Sequence, residues 1–170
     1  MKIVIHNENN VKDEEVNNIV KRAKLLVENS KGDLLLGHTD DSYYLLGGHV
    51  ENNESDEECL RREIKEEAGV DYTPKLTEPF FVIKYYTKDY PNVGDNSLFI
   101  ANYYVIKDDL VPNYDNVDLT DGEALTHFKV VYLKPDDVIP ELEKYLEICK
   151  SKNVVLDTLE VMREYLNNSQ

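Results

Sequence analysis

Three glutamates, Glu63, Glu66 and Glu67, stand three and four residues apart, the spacing that brings side chains onto one face of an α-helix. Carboxylates held that close repel one another and raise each other's pKa unless a cation sits among them. A divalent ion is the simplest relief, and Mg²⁺ or Mn²⁺ suits such hard oxygen donors; Mg²⁺ also leaves positions for water and phosphate oxygens. The competing reading is a solvated acidic face paired with Arg61, Arg62 or Lys65, which acid-rich helices often present. On the three glutamates alone the two readings stand level.

The helix that must carry them is marked at both ends. Ser55 followed by Glu58 has the spacing of a capping box, and Gly69 stands where a helix ends in a left-handed residue. Between these, Leu60, Ile64 and Ala68 recur every four residues and are expected to face a sheet.

The whole stretch from 48 to 70, GHVENNESDEECLRREIKEEAGV, decides between the readings. Gly48, then Glu54 after five residues, then Arg62-Glu63-Ile64-Lys65-Glu66-Glu67-Ala68-Gly69-Val70 after seven more, resembles the signature of the Nudix hydrolases without a mismatch. Gly47 and Glu51 match further positions of that box. Asn53 replaces a common glycine, and asparagine tolerates a left-handed backbone.

The resemblance implies a Nudix-like α/β/α sandwich with a mixed β-sheet, and hydrolysis of a nucleoside diphosphate linked to another moiety, with Mg²⁺ or Mn²⁺. It implies Glu66 and Glu67 as metal ligands, Glu63 as a ligand or the base toward the attacking water, and the Gly47 carbonyl as a further ligand. Arg62 would orient neighbouring glutamates, and Glu54 would brace the loop or reach another ion. Many relatives add a carboxylate from a later loop; Glu123 is the candidate, with Asp118 and Asp121 as rivals. The same fold also hosts non-catalytic nucleotide-binding modules, which usually lose box glutamates, and an isoprenyl-diphosphate isomerase. The isomerase needs a further acid–base pair, such as a cysteine and a glutamate, for which no place is evident. Cys59, among acids, reads as a packing residue.

Arg22, Glu51 and Tyr86 are the candidate substrate-binding residues. Val20, Arg22, Lys24 and Leu26 share one strand face, where Arg22 could meet phosphates; Lys24 reads as a solubilising edge-strand lysine. Tyr86 falls sixteen residues past Val70, near where relatives that cleave dinucleoside polyphosphates carry a tyrosine. Patterns for NADH or coenzyme A cleavage are missing. His6, His38, His49 and His127 form no ligand spacing, although His49 adjoins the metal loop.

The rest of the chain reads as scaffold. Strands are expected at 1–5, 20–28, 34–37, 43–46, 80–87, 97–107 and 128–133, with a polar, functional loop at 108–126. Helices are expected at 136–150 and 154–166. The 170 residues suit a single domain spanning 1–170, with an N-terminal strand extension over 1–18 and a C-terminal helical pair over 136–166. A net charge of −15 repels nucleic-acid backbones and anionic membranes. It would repel a phosphate substrate too, unless a metal reversed the local sign. Only two cysteines and no signal-like or membrane-spanning run point to the cytoplasm. The expected partners are a small nucleotide or other diphosphate and, at most, a second copy of the chain.

Overall fold

The computed structural model describes residues 1–149 and 151–169 of the chain. Its centre is one mixed sheet of seven strands: β1 (Lys2–His6), β2 (Asn18–Glu28), β3 (Leu34–His38), β4 (Tyr43–Tyr44), β5 (Phe81–Thr87), β6 (Ser97–Lys107) and β7 (Lys129–Leu133). The order across the sheet is β1-β5-β6-β2-β3-β4, and β7 pairs with β3 on its other side. β1 runs parallel to β5 and β6 parallel to β2, while the remaining pairs are antiparallel. The first strand is therefore no appendage: it forms an edge of the main sheet.

Alternation along the strands separates two apolar layers. Ala23, Leu25 and Val27 of β2, with Leu35 and Val130, face helix α1 (Asp56–Ala68), which buries Leu60, Ile64 and Ala68 against them. Leu26, Leu36, Phe81, Ile83 and Tyr103 face the opposite way, toward helices α3 (Pro135–Tyr145) and α4 (Lys152–Asn168). The result is the α/β/α sandwich expected from the sequence.

Helix α1 begins and ends as its sequence requires. The Ser55 hydroxyl accepts from the Glu58 N–H while the Glu58 carboxylate accepts from the Ser55 N–H, and Gly69 closes the helix with φ +69°. Asn53, in the place of a glycine, takes φ +66°.

The segment after β6 departs from a plain loop. It contains a short 3₁₀ turn, Tyr114–Asn116, and a five-residue helix α2 (Asp121–Leu125). Thr120 followed by Glu123 forms a second capping box, with the same pattern that marks α1. Among the described residues, no helix is long and apolar enough to cross a membrane.

Candidate active site

The loop that follows β4 runs antiparallel to β2. Leu25 donates its N–H to the Leu46 carbonyl at 2.8 Å, Ala23 to the Gly48 carbonyl at 3.1 Å, and the Val50 N–H donates to the Lys21 carbonyl at 3.0 Å. This pairing draws the backbone so close that side chains cannot follow. Gly47 has φ +110°, and a Cβ there would lie 2.3 Å from the Ala23 carbonyl oxygen; a Cβ on Gly48 would lie 2.2 Å from Glu63 Oε1. The two glycines thus let the carboxylate of α1 rest directly on the loop backbone.

Arg62 ties helix to loop. Its Nε and Nη2 donate to the two oxygens of Glu54, each at 3.0 Å, Nη1 donates to Glu63 Oε1 at 2.7 Å, and Nη2 also donates to the His49 carbonyl at 2.9 Å. The Glu54 hydrogen bond raises the Arg62 pKa first, and Glu63 adds to it, so the guanidinium stays charged. Glu54 itself is held below the usual carboxylate range, first by Arg62 and then by the Glu51 N–H.

Glu67 is buried, 6% exposed, and accepts from the Gly47 N–H at 2.9 Å. Burial pushes its pKa up to about 8, against the opposing pull of Lys24 and the Gly47 hydrogen bond. Glu66 is also raised, by burial and then by Glu63, with smaller contributions from Glu123 and Asp118. Lys24 donates to the Gly47 carbonyl, and burial lowers its pKa while Glu67 and Glu63 raise it.

A cavity of about 590 Å³ brings Glu51, Glu63, Glu66, Glu67 and Glu123 to one place, with Gly47, His49, Arg62 and Lys24 on its wall. Among the described residues, no three acidic, histidine or cysteine side chains are drawn into a ready metal cluster. Glu63 is turned to Arg62 and Glu67 to the Gly47 amide, each carboxylate satisfied separately. The donor set nonetheless suits a hard divalent ion: carboxylate and carbonyl oxygens around space large enough to leave ligand positions free.

A second cavity, of about 420 Å³, opens between the sheet and α4 and shares Lys24 and Tyr44 with the first. Arg22 lines this second cavity, and its Nη2 lies 3.3 Å from His49 Nε2. Tyr86 reaches neither cavity. Its hydroxyl donates to Asp13 at 2.7 Å, and strand alternation turns the neighbouring Tyr85 to the cavity instead.

Glu123 belongs to helix α2 rather than a loop, and its Oε2 accepts the Thr120 N–H and hydroxyl, each at 2.8 Å. Neither Asp118 nor Asp121 lines the acidic cavity; Asp118 instead donates its N–H to the Glu66 carbonyl at 2.9 Å, tying this segment to the end of α1. Lys24 corrects the edge-strand reading, because β2 lies between β6 and β3 at the sheet's centre. The apolar run Ala23, Leu25, Leu26 and Val27 is the signal for a central strand. Cys59 is buried, donates to the His49 carbonyl at 3.2 Å, and has its thiol pKa pushed up to about 11, chiefly by burial. That thiol is a packing group.

The family model of the NUDIX domain matches residues 19–150. The chain belongs to this family. Membership carries the Nudix enzyme class, a pyrophosphohydrolase acting on acid anhydrides. No curated protein matches the sequence. Among solved structures, a MutT protein from Methanosarcina mazei Go1 is similar at 17% identity, TM-score 0.51, over 88% of this chain and 96% of that one. The E. coli ORF135 protein gives 15% identity and TM-score 0.54, over 90% and 96%. The E. coli dihydroneopterin triphosphate pyrophosphohydrolase gives 13% and 0.55, over 87% and 95%. At these identities the likeness concerns the Nudix fold alone.

Proposed function

We propose that this single-domain Nudix enzyme hydrolyses a diphosphate linkage in a nucleotide-like substrate, with Mg²⁺, or Mn²⁺ in its place, as cofactor. The observation that carries the reading is the junction of two cavities at Lys24 and Tyr44, one lined by glutamates and the other largely by aromatic and aliphatic side chains. A nucleotide has that division: charged phosphates at one end and an organic group at the other.

Glu63, Glu66, Glu67 and the Gly47 carbonyl would hold the ion. Bound there, it would neutralise phosphate oxygens and make bound water acidic enough to attack. Arg62 keeps Glu63 and Glu54 oriented through four hydrogen bonds to carboxylates and backbone. A glutamate of the box, Glu63 or Glu66, or Glu123 across the cavity, takes the proton from the attacking water. Lys24, Arg22 and Glu51 line the path of the substrate, with the two cations offsetting phosphate charge.

The test is release of phosphate or pyrophosphate from a panel of nucleoside di- and triphosphates and nucleotide sugars, with Mg²⁺, Mn²⁺ or chelator. Product that depends on metal supports the reading; none from any member with either metal overturns it. A parallel melt should rise with metal plus nucleotide, since ligand binding only the folded state stabilises it by mass action.

Glu123→Gln separates a catalytic from a capping role. If Glu123 takes the proton, the variant loses about 10²-fold or more in kcat with little change in KM. Glutamine still offers an oxygen to Thr120, so a group serving only the cap would leave kcat near the parent value. Asp118→Asn is the control from the same segment.

A further inference from the structure

The Gly47 carbonyl oxygen, a group expected to ligate the ion, carries a cation of the protein's own. The Lys24 ammonium donates to it. The Gly47 N–H donates in turn to Glu67 at 2.9 Å, so this residue is held at both its amide and its carbonyl. Among charged groups, Glu67 and then Glu63 act most strongly on the lysine, with Arg22 opposing them. The Lys24 charge thus stands among the same oxygens that would hold a divalent ion.

An ammonium and a divalent ion are drawn to the same oxygens and repel each other. A carbonyl has two lone pairs, yet two cations on one oxygen would stand at contact distance in a partly shielded space. One of them must give way. Arg62, the other cation on this wall, is tied by a planar fork to Glu54, Glu63 and the His49 carbonyl. Lys24 is not tied in that manner. Among the described residues it forms no salt bridge with a carboxylate, and the Gly47 carbonyl is the one hydrogen-bond partner of its ammonium. A lysine is a compact charge on a flexible four-carbon stem, and this one also lines the neighbouring cavity under α4.

We propose that Lys24 is a movable stand-in for the metal: its ammonium holds the Gly47 carbonyl until a divalent ion takes that oxygen, and then turns to the junction of the two cavities. There the phosphates of the substrate replace the carbonyl as its partner. Ion and substrate thereby favour each other, since the charge displaced by one is received by the other. The inference rests on the proposed reading that an ion is held by Gly47, Glu63, Glu66 and Glu67. It makes Lys24 a positioning residue that links the two binding events, with the bond-breaking left to the glutamates.

Mn²⁺ binding in the absence of any nucleotide tests this without hydrolysis. Free Mn²⁺ is followed by electron paramagnetic resonance as the parent and Lys24→Met are titrated. Methionine nearly keeps the length of the stem and removes its charge, so the variant should bind Mn²⁺ about tenfold or more tightly once the repulsion is gone. A lysine that only braced the loop would give no change or weaker binding, because its loss would loosen Gly47. In the parent itself, acetic anhydride should label Lys24 faster once Mn²⁺ is added, as mapped by mass spectrometry, since the ammonium has left the carbonyl. That measurement stands even if the variant does not fold. Equal or weaker Mn²⁺ binding by Lys24→Met, binding by neither protein, or labelling of Lys24 that does not rise with the ion would each overturn the inference. Tighter Mn²⁺ binding by Lys24→Met, in a protein that hydrolyses no nucleotide with either metal, would sink the proposed function and leave this inference intact. Metal-dependent hydrolysis by the parent, with Mn²⁺ affinity unchanged in the variant, would do the reverse.

Discussion

Replacing Glu67 with glutamine is expected to remove turnover, by about 10²-fold or more, while making the metal-free protein more resistant to heat. The first effect follows from losing a charged donor from the proposed ion site. The second follows from burial. Glu67 is 6% exposed, and its pKa stands near 8 in the folded protein against about 4.3 for a free glutamate. Between those values the unfolded chain has released the proton and the folded one still holds it. Stability is therefore complete below about pH 4.3 and declines as pH rises through about 8. Glutamine has no proton to lose, and its oxygen can still accept from the Gly47 N–H. The advantage of the variant should grow from pH 5 to pH 8 and then level off. A gain of a few degrees is the expected scale, since about 1 kcal/mol moves the midpoint of a chain this long by roughly 2–4 °C. Melts of both proteins in chelator across that range, with initial rates in Mg²⁺, give both readings. A variant that melts below its parent at pH 8 would show that the carboxylate serves the structure.

Local chemistry made the acidic half of this site legible in the sequence. The Ser55–Glu58 box, Gly69 and the four-residue apolar repeat are signals within one helix, and the structure has that helix where they place it. The second cavity depends on contacts between distant residues. Tyr85 faces it and Tyr86 does not, a difference of one residue that is settled only when β5 is paired with β6 and β1. Lys24 looked like an edge lysine because the run around it gives no count of neighbouring strands; β6, which shields it, arrives more than seventy residues later. Asp157 lines the second cavity from α4, a helix with an ordinary amphipathic pattern, where an acid reads as solvated until the helix is packed over the sheet. Thr120 and Glu123 carried the same capping pattern as Ser55 and Glu58, so α2 was readable in principle. Its polar, five-residue sequence has no apolar repeat to draw attention to it.

Arg62→Ala should share the loss of activity expected of Glu67→Gln but, unlike it, lose stability as well. The Arg62 side chain is 29% exposed, and the carboxylates it pairs with are more shielded still, Glu54 at 14% and Glu63 at 12%. Alanine would leave both anions enclosed without a counter-charge and free the His49 carbonyl from its donor. Breaking a shielded pair by removing one partner costs roughly 3–5 kcal/mol. On the scale above, that is a fall in melting temperature on the order of ten degrees. Activity should fall about 10²-fold even at temperatures where the variant is folded, because Glu63 and the loop at Gly48 lose the group that aligns them. Arg62→Lys refines the argument. Lysine restores the charge but cannot reach both Glu54 oxygens, Glu63 and the His49 carbonyl from one planar fork. It should recover much of the stability and little of the rate. If lysine restores rate and stability together, charge alone suffices and the fork is incidental. An alanine variant as stable and as active as its parent would mean that Glu54 and Glu63 keep their places without it.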